Sequence, residues 1–125
     1  MSSAHAAGSD TGGMFAAIDA KDTEAFLGYL TEDAVFRFGS APPVQGREAI
    51  RVAVGGFFQS IAGCSHVVNR TASAGDALIC EGEVTYHRHD GTDVTLPFTD
   101  VLEYTGDRIR HYKIYIDIAP LYAPA

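Results

Sequence analysis

The chain is short of cysteine, of positive charge and of long apolar runs, and each shortage removes a class of protein. It has two cysteines in 125 residues, Cys64 and Cys80. They lack the close paired spacing of a structural zinc site and cannot build one alone. A disulfide between them is conceivable, but the simpler reading is two buried thiols in a reducing cytoplasm. Lys and Arg total 9 against 16 Asp and Glu, a formal charge of −7. Without a basic stripe the chain lacks the counter-charges that supply most of the affinity for nucleic acid or anionic lipid. Neither nucleic acid nor membrane is expected as a partner. No apolar run approaches the roughly 20 residues needed to cross a bilayer. The opening segment 1–13, MSSAHAAGSDTGG, has no basic start and no apolar stretch, so it does not read as a secretory signal. Residues 1–8 read as a disordered tail ahead of one domain over 9–125, in a protein expected to be cytoplasmic.

What is present is an ordinary globular composition, 46% hydrophobic and 20% charged. Met14, Phe15 and Ile18 make one helical face, with Ser9, Asp10 and Thr11 before it as caps. Asp22 caps a short second helix carrying Phe26, Leu27 and Leu30. Ala34–Phe38 alternates as a strand and stops before Pro42-Pro43. Gly46 precedes a third helix from Arg47 to about Ser60, with Ile50, Val54, Phe57, Phe58 and Ile61 on its apolar positions. From residue 64 the pattern becomes strands over 64–73, 77–89, 93–104 and 108–118. Short turns such as Asp90-Gly91 join them. Helices first and an antiparallel meander last predicts an α+β fold: a cone-like, curved, mixed or antiparallel β-sheet wrapped around the N-terminal helices and enclosing a pocket.

Three stretches carry a resemblance to a known group: Ile18–Val35, Val44–Ile50 and Asp107–Asp117. With the order of elements, they make residues 12–122 similar to the nuclear transport factor 2-like superfamily. That group includes ketosteroid isomerases, SnoaL-like polyketide cyclases, scytalone dehydratase and limonene epoxide hydrolase. The resemblance is specific for the fold and weak for the activity, because the fold hosts many chemistries.

Alternation on the strand 93–104 puts Asp100 in a row with Leu96, Phe98, Leu102 and Tyr104. A carboxylate in an apolar row must be paired, hydrogen-bonded or protonated. The resemblance implies the same residue, since Asp100 falls where ketosteroid isomerases hold a protonated Asp. The strand 77–89 divides into Leu78, Cys80, Gly82, Val84 and Tyr86 on one face and Glu81, Glu83, Thr85, His87 and His89 on the other. Amphipathicity places the second face in water. The family register implies the reverse, with Glu83 and His87 lining the pocket beside Asp100. His66, on the preceding strand, stands in the cavity, at its mouth or in a structural role. Tyr112, with Ile114 and Ile116, matches pocket-facing positions. Asp117 reads as a strand-end residue.

The resemblance also breaks at specific places. The isomerase base would fall at Phe38 and its Tyr at Met14; the epoxide hydrolase Asp and Arg would fall at Ile114 and Glu81. Neither constellation is complete. The expected pocket is apolar, with Met14, Phe38, Phe57, Phe98 and Ile114 among its walls, and suits a small hydrophobic molecule. The leading expectation is a cofactor-free and metal-free SnoaL-like enzyme moving a proton on a hydrophobic carbonyl compound, as cyclase, isomerase or dehydratase. His87 would be the general base or acid, Asp100 its orienting group or a hydrogen-bond donor, with Glu83 or Tyr112 assisting. A ligand-binding protein without turnover and a dimerisation module are the alternatives, and a homodimer is compatible with all three.

Overall fold

The protein is described by a computed structural model covering residues 11–124, so the expected tail over 1–8 lies outside the described residues. Helix α1 (Thr11–Asp19) turns Met14 and Phe15 inward. It ends in a Schellman turn: the Asp22 amide donates to the Ala17 carbonyl and the Lys21 amide to Ile18, both at 2.9 Å, with Lys21 at φ 55°. Lys21 Nζ then reaches the Ile61 carbonyl at 2.9 Å and the Phe58 carbonyl at 3.3 Å, which ties this turn to the end of the third helix. Helix α2 (Thr23–Leu27) is capped by Asp22, whose carboxylate accepts from the Ala25 amide at 3.1 Å.

Strand β1 (Leu30–Phe38) starts four residues earlier than its alternation suggests. A register irregularity between Leu30 and Val35 explains this, because Glu32 and Asp33 both stand in solvent and interrupt the period of two. After β2 (Val44–Gln45), helix α3 (Arg47–Gln59) buries Ile50, Val54 and Phe58 at i, i+4 and i+8. Each such side chain contributes about 1.5–3 kcal/mol by leaving water.

The remaining strands are β3 (Gly63–Ala74), β4 (Ala77–His87), β5 (Asp93–Thr105) and β6 (Arg108–Tyr115). The sheet order is β2-β1-β6-β5-β4-β3, antiparallel throughout except for the parallel pair β1–β6. The chain after β6 leaves the sheet and forms the short helix α4 (Ala119–Tyr122), started by Pro120 and by Asp117 Oδ1, which accepts from the Ala119 amide at 3.1 Å. The fold is thus α+β, a curved, unclosed six-stranded sheet with the helices packed in its concavity, as expected.

Strands β3 and β4 approach each other closely at Gly82. A Cβ built there would lie 1.9 Å from the Val67 carbonyl oxygen, so only glycine lets β3 fold this closely over β4. The β3–β4 register shifts just beyond, between Val68 and Arg70. Gly82 belongs to the row Leu78, Cys80, Val84 and Tyr86, which is the buried face of β4.

Candidate functional site

Along β5 the buried row is Leu96, Phe98, Asp100, Leu102 and Tyr104. Asp100 is 2% exposed and is the one buried charged residue type among the described residues. Its neighbour across the β5–β6 ladder is Ile114, and Tyr112 stands two residues further along the same inward row. The Tyr112 hydroxyl donates to Asp100 Oδ2 at 3.1 Å. Asp100 Oδ1 is buried and has no hydrogen-bond partner. Tyr112 is itself fixed between Phe26 and Phe36, each ring centroid 5.5 Å away. Burial pushes the Asp100 carboxyl up to about 8, against the opposing hydrogen bond from Tyr112. At neutral pH the group is therefore a carboxylic acid. With Oδ2 engaged by the Tyr112 hydroxyl, Oδ1 is the oxygen left without a partner and able to carry the proton.

Asp100 and Tyr112 lie on the wall of a cavity of about 410 Å³, inside the usual range for small-molecule sites. Phe38, Phe57, Phe98 and Ile114 supply much of its apolar lining, joined by Val84 and Tyr86 from β4. Ser40–Pro42, Ile118 and Tyr122 complete the wall from the β1–β2 loop and the C-terminal segment.

A second polar point on this wall is His66. Its ring packs edge-on to Phe98, centroids 5.3 Å apart, and lies 5.2 Å from Phe15. Nδ1 is 2.6 Å from Asp19 Oδ1, and the His66 amide donates to Asp19 Oδ2 at 3.1 Å. The His66 side chain is 11% exposed and that of Asp19 29%. A carboxylate holding Nδ1–H fixes the tautomer in which Nε2 accepts, and Nε2 has no partner among the described residues. Cys64, two residues back on β3, directs Sγ to the Ile18 carbonyl at 3.6 Å and to Asp19 Oδ1 at 3.8 Å. Burial and the neighbouring Asp19 push its thiol up to about 12. One donor atom from each of Asp19, Cys64 and His66 lies within 4.8 Å of the others, so these three are the residues that could hold a metal ion.

Asp100, Tyr112, His66, Phe38, Phe57, Phe98 and Ile114, all expected from the sequence, meet on one cavity. Met14 does not reach its wall; it is 1% exposed within the helix–sheet core. Glu83 and His87 are corrected. They stand on the outer face of β4, because a period of two cannot place them inside once Cys80, Gly82, Val84 and Tyr86 are. Glu83 is exposed opposite Pro97. His87 Nδ1 instead pairs with Asp93 Oδ1 at 2.8 Å at the mouth of the β4–β5 hairpin, both side chains about half exposed. Plain amphipathicity was the better guide here than the family register. Cys80, Val84 and Tyr86 correspondingly point inward.

Asp19 was missed. Its signal is an acidic residue in the last turn of α1, where the helix dipole disfavours negative charge. Such a residue needs a partner elsewhere, and here the partner is His66.

No curated protein matches the chain. Solved structures do, at low identity. A proposed isomerase from Bacillus subtilis is 23% identical with a TM-score of 0.78, over 95% of this chain and 91% of that one. TerC, crystallised with polyporic acid, is 16% identical with a TM-score of 0.80, over 97% and 96%. An epoxide hydrolase of the limonene epoxide hydrolase-like type from M. tuberculosis is 18% identical with a TM-score of 0.75, over 96% and 86%. At these identities the likeness is one of fold. The family model for the SnoaL-like domain matches residues 12–112, most of the chain, and the protein therefore belongs to the SnoaL-like domain family.

Proposed function

We propose that this protein is an acid–base enzyme that needs no cofactor and moves a proton on a small hydrophobic carbonyl compound, in a cyclisation, isomerisation or dehydration. The observation that carries this reading is the orphaned Oδ1 of Asp100, buried on the wall of an aromatic cavity. A buried donor without a partner costs about 1–3 kcal/mol. A substrate oxygen placed there removes that cost. As negative charge builds on that oxygen in an enolate-like transition state, the hydrogen bond from Asp100 strengthens, while Tyr112 holds the acid in place. His66 takes the role expected of His87. Its Nε2 removes or returns the proton, and Asp19 orients the ring through Nδ1. The apolar walls exclude water and strengthen both interactions.

Structures of this fold include an epoxide hydrolase and a protein crystallised with an organic acid, which fits small-molecule chemistry in the cavity. The test is turnover of a panel of conjugated cyclic ketones. Asp100→Leu, which keeps the branched shape and deletes the donor, is expected to lower kcat about 10²–10³-fold with a smaller change in KM. Unchanged kcat would remove Asp100 from the reaction. Stoichiometric binding of the panel with no product would favour a ligand-binding protein built on the same cavity.

A further inference from the structure

The cluster at the end of α1 has chemistry that acid–base catalysis leaves unused. Asp19 and His66 are accounted for by their mutual hydrogen bond. Cys64 is not: a buried thiol from the same strand face aims at the same carboxylate oxygen. We propose that Asp19, Cys64 and His66 form a binding site for a thiophilic divalent cation of the zinc class.

The donor set is one that zinc takes, an imidazole nitrogen, a thiolate and a carboxylate, with the fourth position left for water. Zinc bonds of ~2.0–2.3 Å in a tetrahedron require donor separations of roughly 3.3–3.8 Å. Cys64 Sγ and Asp19 Oδ1 already stand 3.8 Å apart. His66 Nδ1 and Asp19 Oδ1, at 2.6 Å, need to open by less than an ångström. The partly exposed Asp19 side chain can swing that far and also gives the cation its path from solvent. The His66 amide, donating to Asp19 Oδ2, keeps the carboxylate aimed at the site as it does so. Two negative ligands against a divalent ion leave the cluster neutral, which suits its partial burial.

The protons balance as follows on binding. The Cys64 thiol releases its proton to solvent as sulfur takes the metal. The imidazole proton moves from Nδ1 to Nε2 as Nδ1 becomes a ligand. One proton leaves per cation, so affinity rises about tenfold per pH unit above the range where imidazole itself protonates. There is a functional consequence, which rests on the acid–base reading above: Nε2 changes from acceptor to donor, and the cation switches off the base.

Binding is testable without a substrate. Cobalt(II) titrated into the full chain is expected to give visible tetrahedral bands and a near-ultraviolet sulfur-to-cobalt band that saturate at one equivalent and are displaced by zinc. Cys64→Ser abolishes the sulfur band. Asp19→Asn weakens affinity at least about tenfold. Cys80→Ser, which alters the other buried thiol, leaves the spectrum unchanged. No sulfur band at saturating cobalt overturns the proposal, and so does a band that survives Cys64→Ser in a variant with native circular dichroism. If Cys64→Ser does not fold, Asp19→Asn decides: full cobalt affinity in that variant is contradictory. Metal binding that leaves turnover intact would count against the acid–base reading of His66 and not against the site.

Discussion

The described residues contain two imidazole–carboxylate pairs, and they are nearly the same object chemically. His66 and Asp19 are 2.6 Å apart; His87 and Asp93 are 2.8 Å apart. Their surroundings differ. The first pair sits between α1 and β3 at 11% and 29% exposure, with the imidazole on the cavity wall beside Phe98. The second bridges a hairpin end at 45% and 57% exposure and faces solvent. In water-like dielectric such a pair is worth about 0–1 kcal/mol and salt screens it. In an apolar wall the same contact fixes a tautomer and presents one nitrogen to whatever enters. The location, more than the pair, decides which histidine can act, and strand phase determines the location.

The largest expected effect separates the two histidines directly. His66→Ala should lower turnover of an accepted ketone about 10²–10⁴-fold, while His87→Ala stays within about twofold. Equal losses, or a loss confined to His87→Ala, would reverse the assignment. A urea series against pH gives the next effect. Asp100 has a folded pKa of about 8, above its unfolded value near 4. Its contribution to stability is therefore fully present below about pH 4 and is lost as pH rises through about 8, a change on the order of 5 kcal/mol. Surface carboxylates held low, such as Glu103 beside Lys113, act in the opposite direction. The quantity to read is thus the stability of wild type minus that of Asp100→Asn, which should fall between about pH 4 and about pH 8 and leave wild type the less stable of the two at high pH. A pH-independent difference would mean that Asp100 is not held protonated.

Smaller effects refine the contrast. Asp19→Asn should cost about tenfold in turnover, partly recovered with Glu at that position, because the ring keeps its packing against Phe98 and loses only the negative charge of its orienting acceptor. Asp93→Asn should change neither turnover nor the urea midpoint by more than about 1 kcal/mol equivalent. If the two Asn variants behave alike, the difference in burial carries no functional weight.

The sequence made most of the fold legible because its signals were local. The apolar positions of α3, the turn at Asp90-Gly91 and the alternation of β4 and β5 each correspond to an element within a few residues. Asp100 was readable for the same reason: one carboxylate in an apolar row is anomalous without any three-dimensional knowledge. The start of β1 was not, since its irregularity places Glu32 and Asp33 outside the alternation. The dyad was less legible still. His66 and Asp19 lie 47 residues apart, and only the Schellman turn at Lys21 and its tie to α3 bring the end of α1 over β3. His87 shows the opposite failure. A register borrowed from relatives outweighed the chain's own amphipathic pattern, which had placed His87 in water.

The central claim is that the inward row of β5 keeps a neutral acid facing the cavity. Carboxyl carbon-13 NMR of Asp100, titrated from pH 3 to pH 10 with and without a conjugated cyclic ketone, tests it most directly. The account predicts a midpoint near about 8 in the free protein and a shift of the Asp100 signal when the ketone binds. A midpoint near 4, with a signal that ignores every ketone, would mean that Asp100 is solvated and that the site lies elsewhere.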